Sequence, residues 1–282
     1  MTVNHSRGVD ESEKRISAAG RVPNGSGCGK AGDACVRQEK PEGRKKEGVV
    51  CTERHAQQKF NEGMEYFKRA LEHYFLDGFV TDHFFILVEI STVHKYLAYF
   101  EMNVKRCSQI HKRRAARLEV LVEHFNPDAY PPIRKQLNTE LGAIYRETAD
   151  RLSEVDAPAA KVAAAALESV TFYERVFNVS EVGKIQDDPH RNLTIAFSLA
   201  RMYEKLHGCC KEKDVSSLLM TDGGEPLEHL KKSLDMYNFV VEYGSKHNIQ
   251  AKEEHIALCK EMAELLPASI AAQVSGYGRL QR

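Results

Sequence analysis

Apolar residues in this chain recur at the three- and four-residue spacing of helices, and no stretch alternates with the period of two that a half-buried strand requires. The stretch that organises the rest runs from Thr81 to Phe125, about forty-five residues without a proline or glycine. Thr81 or Asp82 offers an N-terminal cap. Asn126-Pro127 offers a stop, because the residue before proline is pushed out of the helical region and proline has no N–H. The pattern predicts one long helix, a spine, with Ser91-Thr92 as the place for a bend.

Set at 100° per residue from Lys105, the residues Ile110, Leu121, Cys107, Leu118 and Val104 occupy a sector of about 140° to 260°. Lys105, Arg106, Lys112, Arg113 and Arg117 lie opposite, so the helix turns a basic face to solvent. Arg114, at about 180°, falls inside the apolar sector. It needs a carboxylate partner or a route outward, since burying a charge alone costs several kcal/mol. Glu140 and Glu147 on the following helix are the candidate partners.

Shorter helices flank the spine. The first is expected from about Thr52 to Leu76, with Ala56, Phe60, Met64, Phe67, Leu71 and Tyr74 on one face, ending at Asp77-Gly78. Its Gly63, Phe67 and Ala70-Leu71 match the small-aromatic-small spacing of a tetratricopeptide repeat helix. Others are expected at about Ile133–Leu152, with Pro132 in its first turn, and at Ala159–Val179, Arg191–His207 and Pro226–His247. A last helix, Gln250–Leu266, is expected to stop at Pro267, with 269–282 a flexible tail. The fold class is therefore all-α: a tetratricopeptide-like helical-repeat solenoid over 51–268 with one long central helix. Residues 1–50 hold eight of the eighteen glycines and almost no large apolar side chains, which predicts a disordered segment. Its PEGRKK run (41–46) reads as a solvated charge cluster.

Composition removes several function classes. Net charge is zero and the pI is about 7.2, so composition supplies no general attraction to nucleic acid or anionic membrane. No run of eighteen apolar residues exists, which argues against membrane insertion, and the first residues lack the apolar core of a secretory signal. The seven cysteines include no C-x-x-C pair; Cys107 and Cys259 sit at apolar helical positions and read as small core residues. His111 lies in a basic helix with no near carboxylate and reads as a solvated histidine. Asp187-Asp188, before Pro189, reads as a cap for the next helix. No catalytic constellation emerges, and no cofactor or metal is expected. The reading is of a non-enzymatic protein.

Six blocks, in order, resemble the C-terminal half of the KIF-binding protein family, also called kinesin-binding protein. They are DGFVTDH from Asp77, KYLAYFE from Lys95, HKRRAARLE from His111 with Phe125-Asn126-Pro127 and Tyr130, AFSLARMYEKL from Ala196, LEHLKKSLDMYNFVVEY from Leu227, and CKEMAELLP from Cys259. The resemblance covers about Asn61 to Pro267. It implies a right-handed solenoid that binds kinesin motor domains and keeps them off microtubules, a cytoplasmic, cytoskeleton-associated adaptor in microtubule-based and mitochondrial transport. The alternative is a helical-repeat scaffold with a non-kinesin partner. The motor face that holds acidic tubulin is rich in Lys and Arg, so a competitor needs acidic groups there. Glu154, Asp156, Glu181, Asp187 and Asp188, at loops and helix ends, have that sign and are the candidate partner-binding residues. The Lys105–Arg117 stripe belongs on the outer, solvated side.

Overall fold

The computed structural model describes residues 52–126, 129–177, 188–210, 215, 226–249 and 252–280. The expectations for 1–50, Glu181 and Asp187 lie outside them. The described residues form eight long helices: α1 (Glu53–His73), α2 (Val80–Phe100), α3 (Val104–His124), α4 (Pro131–Ser153), α5 (Ala159–Glu174), α6 (Pro189–Cys209), α7 (Pro226–Lys246) and α8 (Glu253–Leu280). Each packs on its sequence neighbour, and α4 also touches α2 and α6. Thus α2, α4 and α6 run side by side in one layer while α3 and α5 lie in the other.

The local chemistry sets most of the ends. Thr52 Oγ1 accepts from the His55 N–H at 3.2 Å, and Asp188 Oδ1 accepts from the His190 N–H at 3.0 Å with Pro189 opening α6. Pro131 and Pro132 both fall in the first turn of α4. Arg134 closes the far end of α3 by donating to the Val122 and Phe125 carbonyls, which no helical N–H reaches.

Three expectations need correction. The spine is not one helix: it breaks at Glu101-Met102-Asn103, where Glu101 is extended, and α2 and α3 fold back as a hairpin. Side chains make this stop without proline or glycine. Glu101 Oε1 accepts from the Asn103 N–H at 2.7 Å, and Asn103 Oδ1 accepts from the Arg106 N–H at 3.2 Å. Folding back lets Leu97 and Ala98 pack with Cys107 and Ile110. Neither Thr81 nor Asp82 caps α2, which starts one residue earlier, at Val80. At the other end, α8 does not stop at Pro267 but continues to Leu280. Pro267 lies on the exposed side, where water can serve the carbonyl that loses its helical partner, while Leu266 and Ile270 on either side keep packing into the core.

The packing reveals a repeat. Ser169 of α5 donates to the Gly142 carbonyl of α4 at 2.9 Å, and Ser233 of α7 donates to the Ala200 carbonyl of α6 at 2.9 Å. Tyr145 of α4 donates to Glu119 of α3, and Tyr203 of α6 donates to Glu174 of α5. Gly142 and Tyr145 keep the spacing of Ala200 and Tyr203. Ser169 and Tyr173 keep the spacing of Ser233 and Tyr237. The pairs α4–α5 and α6–α7 are therefore two copies of one helix hairpin. The repeat is too long for a thirty-four-residue period to reveal it.

Close approach at Gly142 is part of this packing: a Cβ there would lie 2.7 Å from the Tyr173 ring, whereas one at Gly63 would meet nothing within 4 Å. Gly142→Val is expected to cost about 2 kcal/mol or more through overpacking. Gly63→Ala should instead stabilise by up to ~1 kcal/mol through helix propensity. Urea denaturation of the two variants should therefore move the midpoint in opposite directions.

Candidate partner-binding surface

The polar centre of the array is built around Arg114. This side chain is 2% exposed, with its Nη1 2.6 Å from Glu147 Oε2 and its Nε donating to Ser91 Oγ at 3.2 Å. Glu147 also takes Lys95 of α2 at 2.8 Å. Burial alone would raise the Glu147 carboxyl, but Arg114 and Lys95 more than offset this and hold it below the usual range. Of the two candidate carboxylates, Glu147 is the partner. Glu140 stays half-buried on the same helix, its carboxyl pushed up by burial.

His111 is not solvated. It is buried, and its Nδ1 accepts from Arg114 Nη1 at 3.0 Å, which leaves the ring neutral with its proton on Nε2. Glu147 lies 4.0 Å from that nitrogen, so a carboxylate is near after all. Burial first and Arg114 second push the His111 pKa down to about 4. One turn along α4, Asp150 takes Arg146 at 3.5 Å and, from α6, Arg201 at 3.4 Å and Lys205 at 3.3 Å. Two α4 carboxylates thus tie together four helices.

The structure separates the predicted acidic set. Glu154 and Asp156 sit together and exposed at the α4–α5 turn; Glu154 pairs with Arg151 at 2.8 Å and Asp156 holds a left-handed φ of 49°. Asp188 is at the start of α6, which runs parallel to α4, and so lies at the opposite end of the layer, where its side chain serves as the cap. Glu154 lines a small cleft of about 290 Å³ with Lys95, Tyr99, Asp150 and Arg151.

Sequence reasoning missed the outward side of α2. Phe85, Tyr96 and Tyr99 are 48%, 60% and 69% exposed and fall on one stripe with Glu89. Asp82 and Glu89 beside them have no intrachain ion pair among the described residues. The signal was available in part, because α2 is apolar nearly all round, more than packing on α1, α3 and α4 consumes. Among the described residues no group of histidine, cysteine and carboxylate side chains is placed to hold a metal, and no helix is long and apolar enough to cross a membrane.

The family model described as "KIF-1 binding protein C terminal" matches residues 4–272. The chain belongs to this family. A KIF-binding protein of Gallus gallus is 33% identical over 229 residues, 75% of this chain and 36% of that protein. The Homo sapiens KIF-binding protein is 32% identical over 232 residues, covering 76% and 35%. One from Dictyostelium discoideum is 26% identical over 248 residues, covering 79% and 37%. The chain spans about a third of the length of the curated relatives it matches. A de novo designed helical repeat protein aligns over 81% of this chain and 97% of its own, at 13% identity and a TM-score of 0.32. The family match begins well before Asn61, where the resemblance of the six blocks starts, and takes in residues 4–51, which are not among the described ones.

The His111 environment predicts a pH dependence for this family member. The ring is neutral in the fold down to about pH 4 but ionises near 6.5 when the chain unfolds. The unfolded state therefore binds more protons between these values. Stability present above pH 6.5 is lost as pH falls toward 4, by on the order of 3 kcal/mol from this group. Thermal midpoints measured from pH 7.5 to 4.5 should decline. In His111→Asn, whose Oδ1 can replace Nδ1 as acceptor, the decline should be shallower. It should not vanish, because burial also pushes His94, His229 and His255 down.

Proposed function

We propose that this chain is a non-enzymatic adaptor that binds kinesin motor domains and regulates their engagement with microtubules. Membership of the family supports this reading, together with relatives that are themselves named KIF-binding proteins. On it, the protein works in the cytoplasm, associated with the cytoskeleton.

The contact follows from charge. A motor face rich in Lys and Arg is met by carboxylates next to aromatic surface, the arrangement at the α4–α5 turn, where Glu154 shares a cleft with Tyr99 and the exposed Asp156 follows two residues on. The Arg151–Glu154 pair is no obstacle, because an exposed ion pair is worth at most about 1 kcal/mol and either partner can turn to a new one. Asp82 and Glu89 extend the same sign along the Phe85–Tyr99 stripe. Asp188 is unsuited, since turning it toward a partner uncaps α6. The exposed Lys112 and Arg113 on α3 have the sign that would repel the motor.

Binding of a purified kinesin motor domain at two salt concentrations tests this. Glu154→Lys with Asp156→Asn should weaken binding at least tenfold and reduce its salt dependence; asparagine is chosen because it tolerates the left-handed φ. Lys112→Glu with Arg113→Glu should leave binding equal or stronger. If no kinesin motor binds while another defined protein does so stably, the chain is instead a scaffold for a different partner.

A further inference from the structure

We propose that the groove between α3 and α5, floored by α4, is a docking site for an amphipathic helix of a partner protein that is basic at its N-terminal end and acidic at its C-terminal end. This groove borders the α4–α5 turn at its lysine end, where Val155 and Ala157 line it, and the inference does not rest on the motor-binding reading.

The groove has the dimensions of one helix. Its volume is about 880 Å³. It runs beside α3 from Lys105 to Glu119, roughly 21 Å or four turns at 1.5 Å per residue. Its walls are short: Ala115 on one side and Ala164 and Ala165 on the other, above Ile144, Tyr145 and Leu152 of α4. Small side chains on the flanks let a helix approach to the 8–10 Å at which helices pack. Ala164 and Val155 are exposed along it although both are apolar.

The charges at the two ends choose the occupant. Lys105 and Lys161, in the first turns of the parallel helices α3 and α5, stand at one end, with Lys112 two turns further in. All three are exposed, and none has an ion-pair partner among the described residues. Glu119 and Glu168 stand at the other end, Glu119 holding the Tyr145 hydroxyl. A helix lying antiparallel to α3 and α5 places the negative end of its dipole at the lysines and the positive end at the glutamates, and acidic and basic side chains at those ends reinforce the match. An acyl chain with an anionic head would satisfy the lysines but press its apolar tail against two carboxylates, so the two-ended charge pattern favours a helix.

The test uses synthetic peptides on the full chain. The matched probe is a fluorescein-labelled helix of about 16 residues with leucines at i, i+3, i+4 and i+7 spacing, lysines in its first turn and glutamates in its last two. A second peptide of the same composition exchanges the charged ends. Fluorescence anisotropy should give at least tenfold tighter binding of the matched peptide. Lys112→Glu with Lys161→Glu should abolish or invert that preference, with circular dichroism and the melting temperature confirming an unchanged fold. Absence of binding by either peptide, equal binding of the two, or indifference to the lysine reversal overturns the proposal. So does displacement of the matched peptide by dodecyl phosphate at equal affinity, which would assign the groove to an acyl anion.

Discussion

A guanidinium almost wholly removed from water at Arg114 is the constraint that the array is arranged around. Such a charge is tolerated only where its donors are met, because the desolvation penalty is several kcal/mol and the Coulombic return requires good geometry. Ser91 from α2 and Glu147 from α4 meet it, while the neutral ring of His111 accepts from it. Glu147 in turn takes Lys95, and the next turn of α4 carries Asp150 to Arg201 and Lys205 of α6. The network fixes the rotation and height of α4 relative to its neighbours. An apolar interface of alanines and leucines would stabilise the same contacts but leave the helices freer to slide in register.

Around this polar centre the two copies of the hairpin, α4–α5 and α6–α7, repeat a different device. A buried serine on the second helix donates to a carbonyl of the first at a position occupied by glycine or alanine, where the backbones come close. A tyrosine on the first helix reaches back to a glutamate of the preceding helix. The serine bond sets the distance within a hairpin and the tyrosine bond sets the distance between hairpins. Stacking of this kind leaves two distinct faces uncovered. One, on α2 and the α4–α5 turn, carries aromatics and carboxylates; the other, between α3 and α5, is an apolar trough with opposite charges at its ends.

The family and the helices could be read from the chain because both depend on local or ordered sequence. The six blocks occur in the family's order, and the apolar period, the Asp188 cap and the opening proline Pro132 of α4 are properties of a few neighbouring residues. The buried faces of α3 followed from the same periodicity: Cys107, Ile110, Leu118 and Leu121 are in the core, and the position of Arg114 on the wheel called for a carboxylate partner or a route outward, of which the structure shows the first.

What the sequence did not determine depends on contacts between residues far apart along it. The break at Glu101–Asn103 carries no proline or glycine; it exists because two side-chain caps and the packing of Leu97 and Ala98 on Cys107 together outweigh continued helix. Pro267 ends a helix in isolation, yet α8 continues because the residues on either side are held by the core and the proline faces water. His111 looked solvated because its neighbours in sequence are basic, and it is buried because Glu147, on another helix, neutralises the arginine beside it. Periodicity assigns each residue to a face of its own helix. Only tertiary packing decides which of those faces meet, and therefore whether Phe85, Tyr96 and Tyr99 end in a core or on an open surface.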